Sequence, residues 1–153
     1  MENIGTVSLD EAMPFISEML KNGNTVSLLV KGSSMFPFLI SGRDKVILAA
    51  VTIPLKKGDI VLYRNHIGKY VLHRISRIDS DGNFEIIGDG QLVADYPVNI
   101  ESIVARVISV ERKGENLCSK NIKWKLFSSK LFLFFSRKIL VKNAIKKGSV
   151  TSD

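Results

Sequence analysis

Three short segments carry residue types that could together perform nucleophilic catalysis. Ser34 follows a Gly-Ser pair, His73 lies in an alternating hydrophobic stretch, and Asp89 stands between two glycines. A serine hydroxyl is a weak nucleophile at neutral pH and needs an adjacent base. Histidine can take and return that proton, and a carboxylate on its other ring nitrogen would fix the tautomer and stabilise the imidazolium. The sequence therefore supplies a candidate nucleophile, base and orienting acid.

Each of these residues, taken alone, also has an ordinary structural explanation. Ser34 could be only a turn residue, His73 a hydrogen-bonded histidine in a strand, and Asp89 part of a tight turn. His66 is a poorer base candidate, because the Arg-Asn-His-Ile-Gly stretch at 64–68 predicts a hairpin tip, where histidines are mostly solvated.

The order of the segments resembles the type I signal peptidase family, within the superfamily that includes the SOS-response repressors. Ser-Met-Phe-Pro at 34–37 is similar to the nucleophile box Ser-Met-x-Pro of that family, and Gly-Asp-Ile-Val at 58–61 to a later block. Tyr-Val-Leu-His-Arg-Ile at 70–75 is similar to the block that carries lysine in bacterial members and histidine in archaeal and endoplasmic-reticulum members. Ile-Gly-Asp-Gly at 87–90 resembles the later Gly-Asp box. The resemblance spans about residues 25–112.

This resemblance implies a role for each candidate. Ser34 is expected to be the nucleophile, His73 the general base and Asp89 the orienting carboxylate, with Asp95 as the reserve for that last role. It also implies a substrate with small residues before the cleaved bond. A peptide could bind such a sheet as an added strand.

The sequence departs from the family pattern in two respects, which are the oxyanion hole and the missing N-terminal transmembrane helix that typical signal peptidases have. Many bacterial members have a serine at the position of Gly32, and its hydroxyl helps to form the hole. Backbone N–H groups, including that of Ser34, could supply the hole instead, whereas Ser33 does not match the family position. Met35 and Phe36 could line an apolar substrate surface or could equally be core residues.

The flanking patterns predict a mainly β fold with a helix at each end. Ser8 and Glu11 form a capping-box pattern before an amphipathic helix over about 9–22. Strand patterns cover 26–30, 45–51, 60–64, 69–78, 84–87 and 103–110. We expect a curved antiparallel sheet or partly open barrel, divided as an N-terminal helix (1–24), a catalytic core (25–112) and a C-terminal segment (113–153).

The C-terminal segment is basic and aromatic over 121–147, which predicts an amphipathic helix. This helix could contact an anionic membrane peripherally, pack on the core, or pair with another protomer. The net charge of +7 permits nucleic-acid binding, but no DNA- or RNA-binding motif accompanies it, so we expect a peptide or protein substrate. The single cysteine excludes an internal disulfide, and no Cys/His spacing predicts a metal or other cofactor.

The N-terminus has neither a basic region nor an apolar stretch typical of a secretory signal. With no segment long enough to span a bilayer, we expect a cytoplasmic or peripherally membrane-associated protein. Three hypotheses follow: a signal-peptidase-like serine endopeptidase, a cytoplasmic peptidase that removes leaders from small peptides, or an inactive peptide-binding or membrane-docking module on the same scaffold.

Overall fold

The computed structural model describes residues 8–118, which fold into one α-helix, one short 3-10 helix (Ile100–Ser102) and eight strands. Helix α1 spans Leu9–Lys21. The strands are β1 (Val26–Leu29), β2 (Asp44–Ala50), β3 (Ile60–Arg64), β4 (Tyr70–Ile78), β5 (Phe84–Ile87), β6 (Asp95–Val98), β7 (Ile103–Arg112) and β8 (Glu115–Cys118). The predicted mainly β class is therefore confirmed for this part of the chain.

The strands form one open antiparallel sheet in the order β1-β2-β7-β3-β4-β5-β6, and β8 pairs with the end of β7. Strand β7 is the longest, pairing with β2 along one edge and with β3 and then β8 along the other. Strands β3 and β4 form the predicted hairpin, with Val61 opposite His73. This register fixes which side chains of β3 lie beside His73.

Hydrophobic side chains pack on both faces of the sheet. In β3, Ile60 and Leu62 belong to a first cluster, whereas Val61 and Tyr63 belong to a second. This division follows from the alternation of side chains along a strand. The first cluster comprises Met13, Ile16, Leu20, Val30, Met35, Phe38, Leu39, Val46, Leu48, Ile60, Leu62, Ala105, Val107, Val110 and Leu117. The second comprises Leu55, Val61, Tyr63, Ile75, Phe84, Ile86, Val98 and Ile103.

Helix α1 begins at the predicted capping box. The Ser8 hydroxyl accepts from the Glu11 N–H at 3.2 Å, and the Glu11 carboxylate accepts from the Ser8 N–H at 2.9 Å. The helix buries Met13, Ile16 and Leu20 in the first cluster. Within residues 8–118, no helix is long and apolar enough to cross a bilayer.

Two strands were not predicted. Strand β6 contains Pro97 and is short, and its pattern is therefore weak. Strand β8 lies in what was predicted to be the C-terminal segment, because Lys113 and Gly114 both adopt positive φ and turn the chain back onto β7. The C-terminal helix predicted over 121–147 lies outside the described residues.

Candidate active site

Ser34 lies in the turn between β1 and β2, and its side chain is half-buried. Within this turn the Phe36 N–H donates to the Ser33 carbonyl at 3.0 Å, and the Leu39 N–H donates to the Met35 carbonyl at 2.8 Å. Met35 is buried in the first cluster, so it is a core residue, whereas Phe36 is 46% exposed. Met35 nevertheless lines the apolar groove described below, whereas Phe36 does not.

Gly32, at the start of this turn, adopts a φ of +79°. This left-handed conformation is unfavourable for residues with a Cβ. The backbone conformation therefore favours glycine at this position. Ser33 is exposed. Among residues 8–118, the N–H groups of Ser34 and Met35 donate to no group, so both could bind an oxyanion.

The end of the turn is fixed by the buried carboxylate of Asp44. Asp44 accepts hydrogen bonds from the Ile40 N–H and from the guanidinium groups of Arg43 and Arg112. Arg112 also donates to the Phe38 carbonyl at 2.6 Å. Burial raises the pKa of Asp44, but the hydrogen bonds from Arg43, Arg112 and Ile40 outweigh it and hold that pKa well below its usual value.

The predicted Gly-Asp-Gly segment packs directly against the Ser34 turn. The Gly90 N–H donates to the Ser34 carbonyl at 2.8 Å. A Cβ on Gly88 would overlap the Ser34 carbonyl oxygen, and a Cβ on Gly90 would lie 2.9 Å from the Ser33 carbonyl oxygen. Both glycines are therefore required for the close approach of the two backbones.

Asp89, between these glycines, pairs with Arg74 rather than with His73. Arg74 donates from Nε and Nη2 to the two carboxylate oxygens, each at 2.8 Å, and Nη1 donates to the Gly58 carbonyl at 2.9 Å. Asp89 and Arg74 are almost completely buried, and the guanidinium lies 4.8 Å from the centre of the Phe38 ring. This pair ties the Gly-Asp-Gly segment and the Ser34 turn to β4.

His73 instead contacts Asp95 through a tyrosine. The Tyr63 hydroxyl lies 3.2 Å from His73 Nδ1 and donates to Asp95 Oδ2 at 2.5 Å. The other oxygen of Asp95 lies 3.0 Å from His66 Nδ1. His66 occupies the predicted hairpin tip with a side chain that is 75% exposed. Of the two predicted carboxylates, Asp95 and not Asp89 is therefore connected to His73 by hydrogen bonds within the described residues.

The surroundings of His73 favour its neutral form. Its ring is buried, and burial lowers the pKa of His73; Asp95 and Asp89 oppose that change without overcoming it. A neutral imidazole is the form that can accept a proton. Among the described residues, Nε2 of His73 has no hydrogen-bond partner, and no hydrogen bond joins His73 to the Ser34 hydroxyl.

Ser34 lies at an apolar groove of about 670 Å³. One wall is the stretch from Leu28 to Lys31, and the other is the stretch from Tyr70 to Leu72, which ends next to His73 in β4. Leu9 and Ala12 of α1 also line the groove. The groove therefore connects the segment that carries the candidate nucleophile with the strand that carries the candidate base.

Both long walls of the groove have unpaired strand edges. The Val30 N–H donates to the Asp44 carbonyl, and the Val30 carbonyl accepts from the Gly42 N–H, each at 2.9 Å. Because successive residues of a strand direct their backbone groups to opposite sides, the N–H and carbonyl of Leu29 point away from β2. The backbone N–H and carbonyl of Ile75 bond to Asp59 and Gly58, just before β3. By the same alternation, the N–H and carbonyl of Leu72, three residues earlier, point away from β3. Strand β5 pairs with β4 only from Arg74 onward. Among the described strands, none covers Leu29 or Leu72 on these sides.

Sequence reasoning missed Arg74 and Tyr63. Arg74 had a usable signal, because an arginine on the inner face of a hydrophobic strand must be paired once it is buried. Tyr63 had a weaker signal, since its proximity to His73 depends on the register of the β3–β4 hairpin. Within residues 8–118, no group of three or more His, Cys, Asp or Glu side chains is arranged to hold a metal ion.

The sequence matches no protein-family model and no curated protein. The resemblance to signal peptidases thus remains a prediction that depends on the four blocks of residues given above.

Proposed function

We propose that the protein is a serine endopeptidase, similar to the histidine-type signal peptidases, which cleaves a leader or signal peptide. The observation that carries this proposal is the position of Ser34 in a groove whose second wall is the strand of His73. The described strands form one open antiparallel sheet, and the proposal requires it to curve so that β1 lies opposite β4, as the partly open barrel predicted from the sequence would.

The substrate binds in this groove as an added strand. The unpaired backbone groups of Leu29 and Leu72 would hydrogen-bond to the peptide main chain, and the apolar walls would accept alternate side chains. Among the described residues, the Ser34 hydroxyl makes no hydrogen bond. It is thus available to approach a peptide carbonyl and the His73 ring when the groove is filled.

The chemistry proceeds by acyl transfer. Ser34 Oγ attacks the carbonyl carbon while its proton passes to Nε2 of His73, and the N–H groups of Ser34 and Met35 bind the oxyanion. The C–N bond then breaks as His73 returns the proton to the leaving amine. Water then attacks the acyl-enzyme and gives a proton to His73. The C–O bond to Ser34 breaks to release the acid as His73 returns that proton to Ser34 Oγ.

Cleavage of a mixed-sequence peptide library, read by mass spectrometry, tests this proposal. We expect the full chain to cleave after small residues and Ser34→Ala to lose this cleavage while its circular dichroism spectrum is unchanged. Ser80→Ala, in the exposed turn before β5, is the matched control and should cleave as the wild type does. Equal cleavage by Ser34→Ala would overturn the mechanism.

The absence of a hydrogen bond between Ser34 and His73 within residues 8–118 favours a second candidate, an inactive peptide-binding module. In this case, the groove would still bind peptides. Binding of library peptides by the wild type without any cleavage would support the module and contradict the peptidase.

A further inference from the structure

Tyr63 stands between the candidate base and its carboxylate. Its ring is completely buried on the same face of the sheet as Val61, and its hydroxyl is the only group that bridges His73 and Asp95 in the described part of the chain. A phenolic hydroxyl has one proton to donate and an oxygen that can accept. The direction of each hydrogen bond is thus fixed by where that proton lies.

The proton of Tyr63 belongs in the bond to Asp95. An ionised carboxylate can only accept, so Tyr63 donates to Oδ2 across 2.5 Å. The oxygen of Tyr63 must then accept in its 3.2 Å contact with His73, which requires the proton of the neutral imidazole to be on Nδ1. Nε2 is left with a free lone pair, which is what a general base needs.

We propose that Tyr63 is a positioning residue that selects the Nδ1–H tautomer of His73 and transmits the charge of Asp95 to it. The effect of this role on catalysis depends on the proposed peptidase function, whereas the tautomer of His73 does not depend on it. When Nε2 takes the Ser34 proton, the imidazolium still donates Nδ1–H to Tyr63, and Tyr63 still donates to Asp95.

The surroundings of Tyr63 support this direction of donation. Burial raises the pKa of Tyr63, and the hydrogen bond and negative charge of Asp95 raise it further, so the phenol keeps its proton. Among residues 8–118, the other charged group that acts on the His73 ring is Asp89, which Arg74 holds by two hydrogen bonds. Tyr63 is therefore the group through which Asp95 orients the ring.

Nitrogen-15 NMR of the histidine rings in the full chain tests the tautomer directly. The chain has two histidines, so His66→Gln assigns the His73 signals by removing the other set. At a pH where His73 is neutral, we expect the proton on Nδ1. A wild-type ring with the proton on Nε2 would overturn the proposal, and this measurement needs no variant of Tyr63 to fold.

Tyr63→Phe then removes the acceptor while keeping the ring. We expect the Nε2–H tautomer to appear and kcat to fall by about 10-fold or more with little change in KM, because a base with its proton on the reacting nitrogen cannot accept another; a fully wrong tautomer costs about 10⁴-fold. Tyr96→Phe is the matched control, since Tyr96 donates to Asp79 instead.

The NMR and cleavage measurements distinguish the role of Tyr63 in orienting His73 from the proposed peptidase function. A wild type that shows the Nδ1–H tautomer but no cleavage would contradict the peptidase and leave the role of Tyr63 in orienting His73 supported. An unchanged tautomer in folded Tyr63→Phe would contradict that role, even if the wild type cleaves peptides.

Discussion

At the scale of single residues, the two acids near His73 have different partners and therefore different expected roles. Asp89 has both oxygens bonded to Arg74 in a fully buried pair, and breaking such a pair by removing one partner typically costs about 3–5 kcal/mol. Asp95 is partly exposed and reaches His73 through Tyr63. We thus assign the structural role to Asp89 and the electrostatic role to Asp95.

Substitution of Asp95 by Asn should change the pH dependence of cleavage. The negative charge of Asp95 raises the pKa of His73, which burial has lowered, so Asp95→Asn should lower that pKa further. The acidic limb of kcat/KM should then move to lower pH. The plateau should fall by roughly 10-fold or more, because the imidazolium loses its stabilising charge; about 10⁴-fold is the loss for a directly bonded acid.

A pH titration of the His73 ring by NMR would check the same shift without an activity assay. Asp81→Asn, in the exposed turn before β5, removes one negative charge far from the ring and should leave the limb unchanged. An acidic limb that moves to higher pH in Asp95→Asn would contradict this assignment.

At the scale of elements, the Ser34 turn is held from two sides. Asp44 and Arg112 fix its end through Ile40 and Phe38, and the Gly-Asp-Gly segment supports Ser34 itself. The sequence predicted the turn, the β3–β4 hairpin and most strands, because hydrophobic alternation and glycine signals are local. It could not predict that two backbones would pack without side chains between them, since that contact joins segments far apart in the chain.

Gly88→Ala tests whether this support positions the nucleophile. The added methyl would overlap the Ser34 carbonyl and displace the turn, since a backbone atom cannot move aside as a flexible side chain can. We expect kcat to fall by roughly 10²-fold, the typical cost of misplacing a reacting group by about 1 Å. Steady-state kinetics on a peptide identified from the library would measure the change.

Gly82→Ala provides the control for loss of a glycine. Gly82 has a φ of +83° and open space around it, so alanine there should strain the turn before β5 without touching the site. We expect a stability loss of about 1 kcal/mol and an unchanged kcat. A folded Gly88→Ala protein with the wild-type kcat would show that the Gly-Asp-Gly segment does not position Ser34.

At the scale of the whole molecule, the edges of β1 and of the first part of β4 have no partner strand among the described residues, and both lie beside the apolar groove. Alternation in the sequence indicated six of the eight strands, and the mainly β class followed from it. The pairing order could not be predicted in the same way, because the contact of β7 with both β2 and β3 joins distant segments. The convergence of Ser34, β4 and the Gly-Asp-Gly segment depends on that order, and the sequence suggested it only through the predicted resemblance to signal peptidases.

The most direct test of the central claim is to trap the acyl-enzyme. The full chain would be mixed with a cleaved library peptide, quenched in acid and examined by intact-mass spectrometry and peptide mapping. We predict a mass increase equal to the acyl part of the substrate, located on Ser34. Peptide cleavage with an adduct on another residue, or with a Ser34→Ala protein that turns over at the wild-type rate, would contradict the claim that Ser34 is the nucleophile.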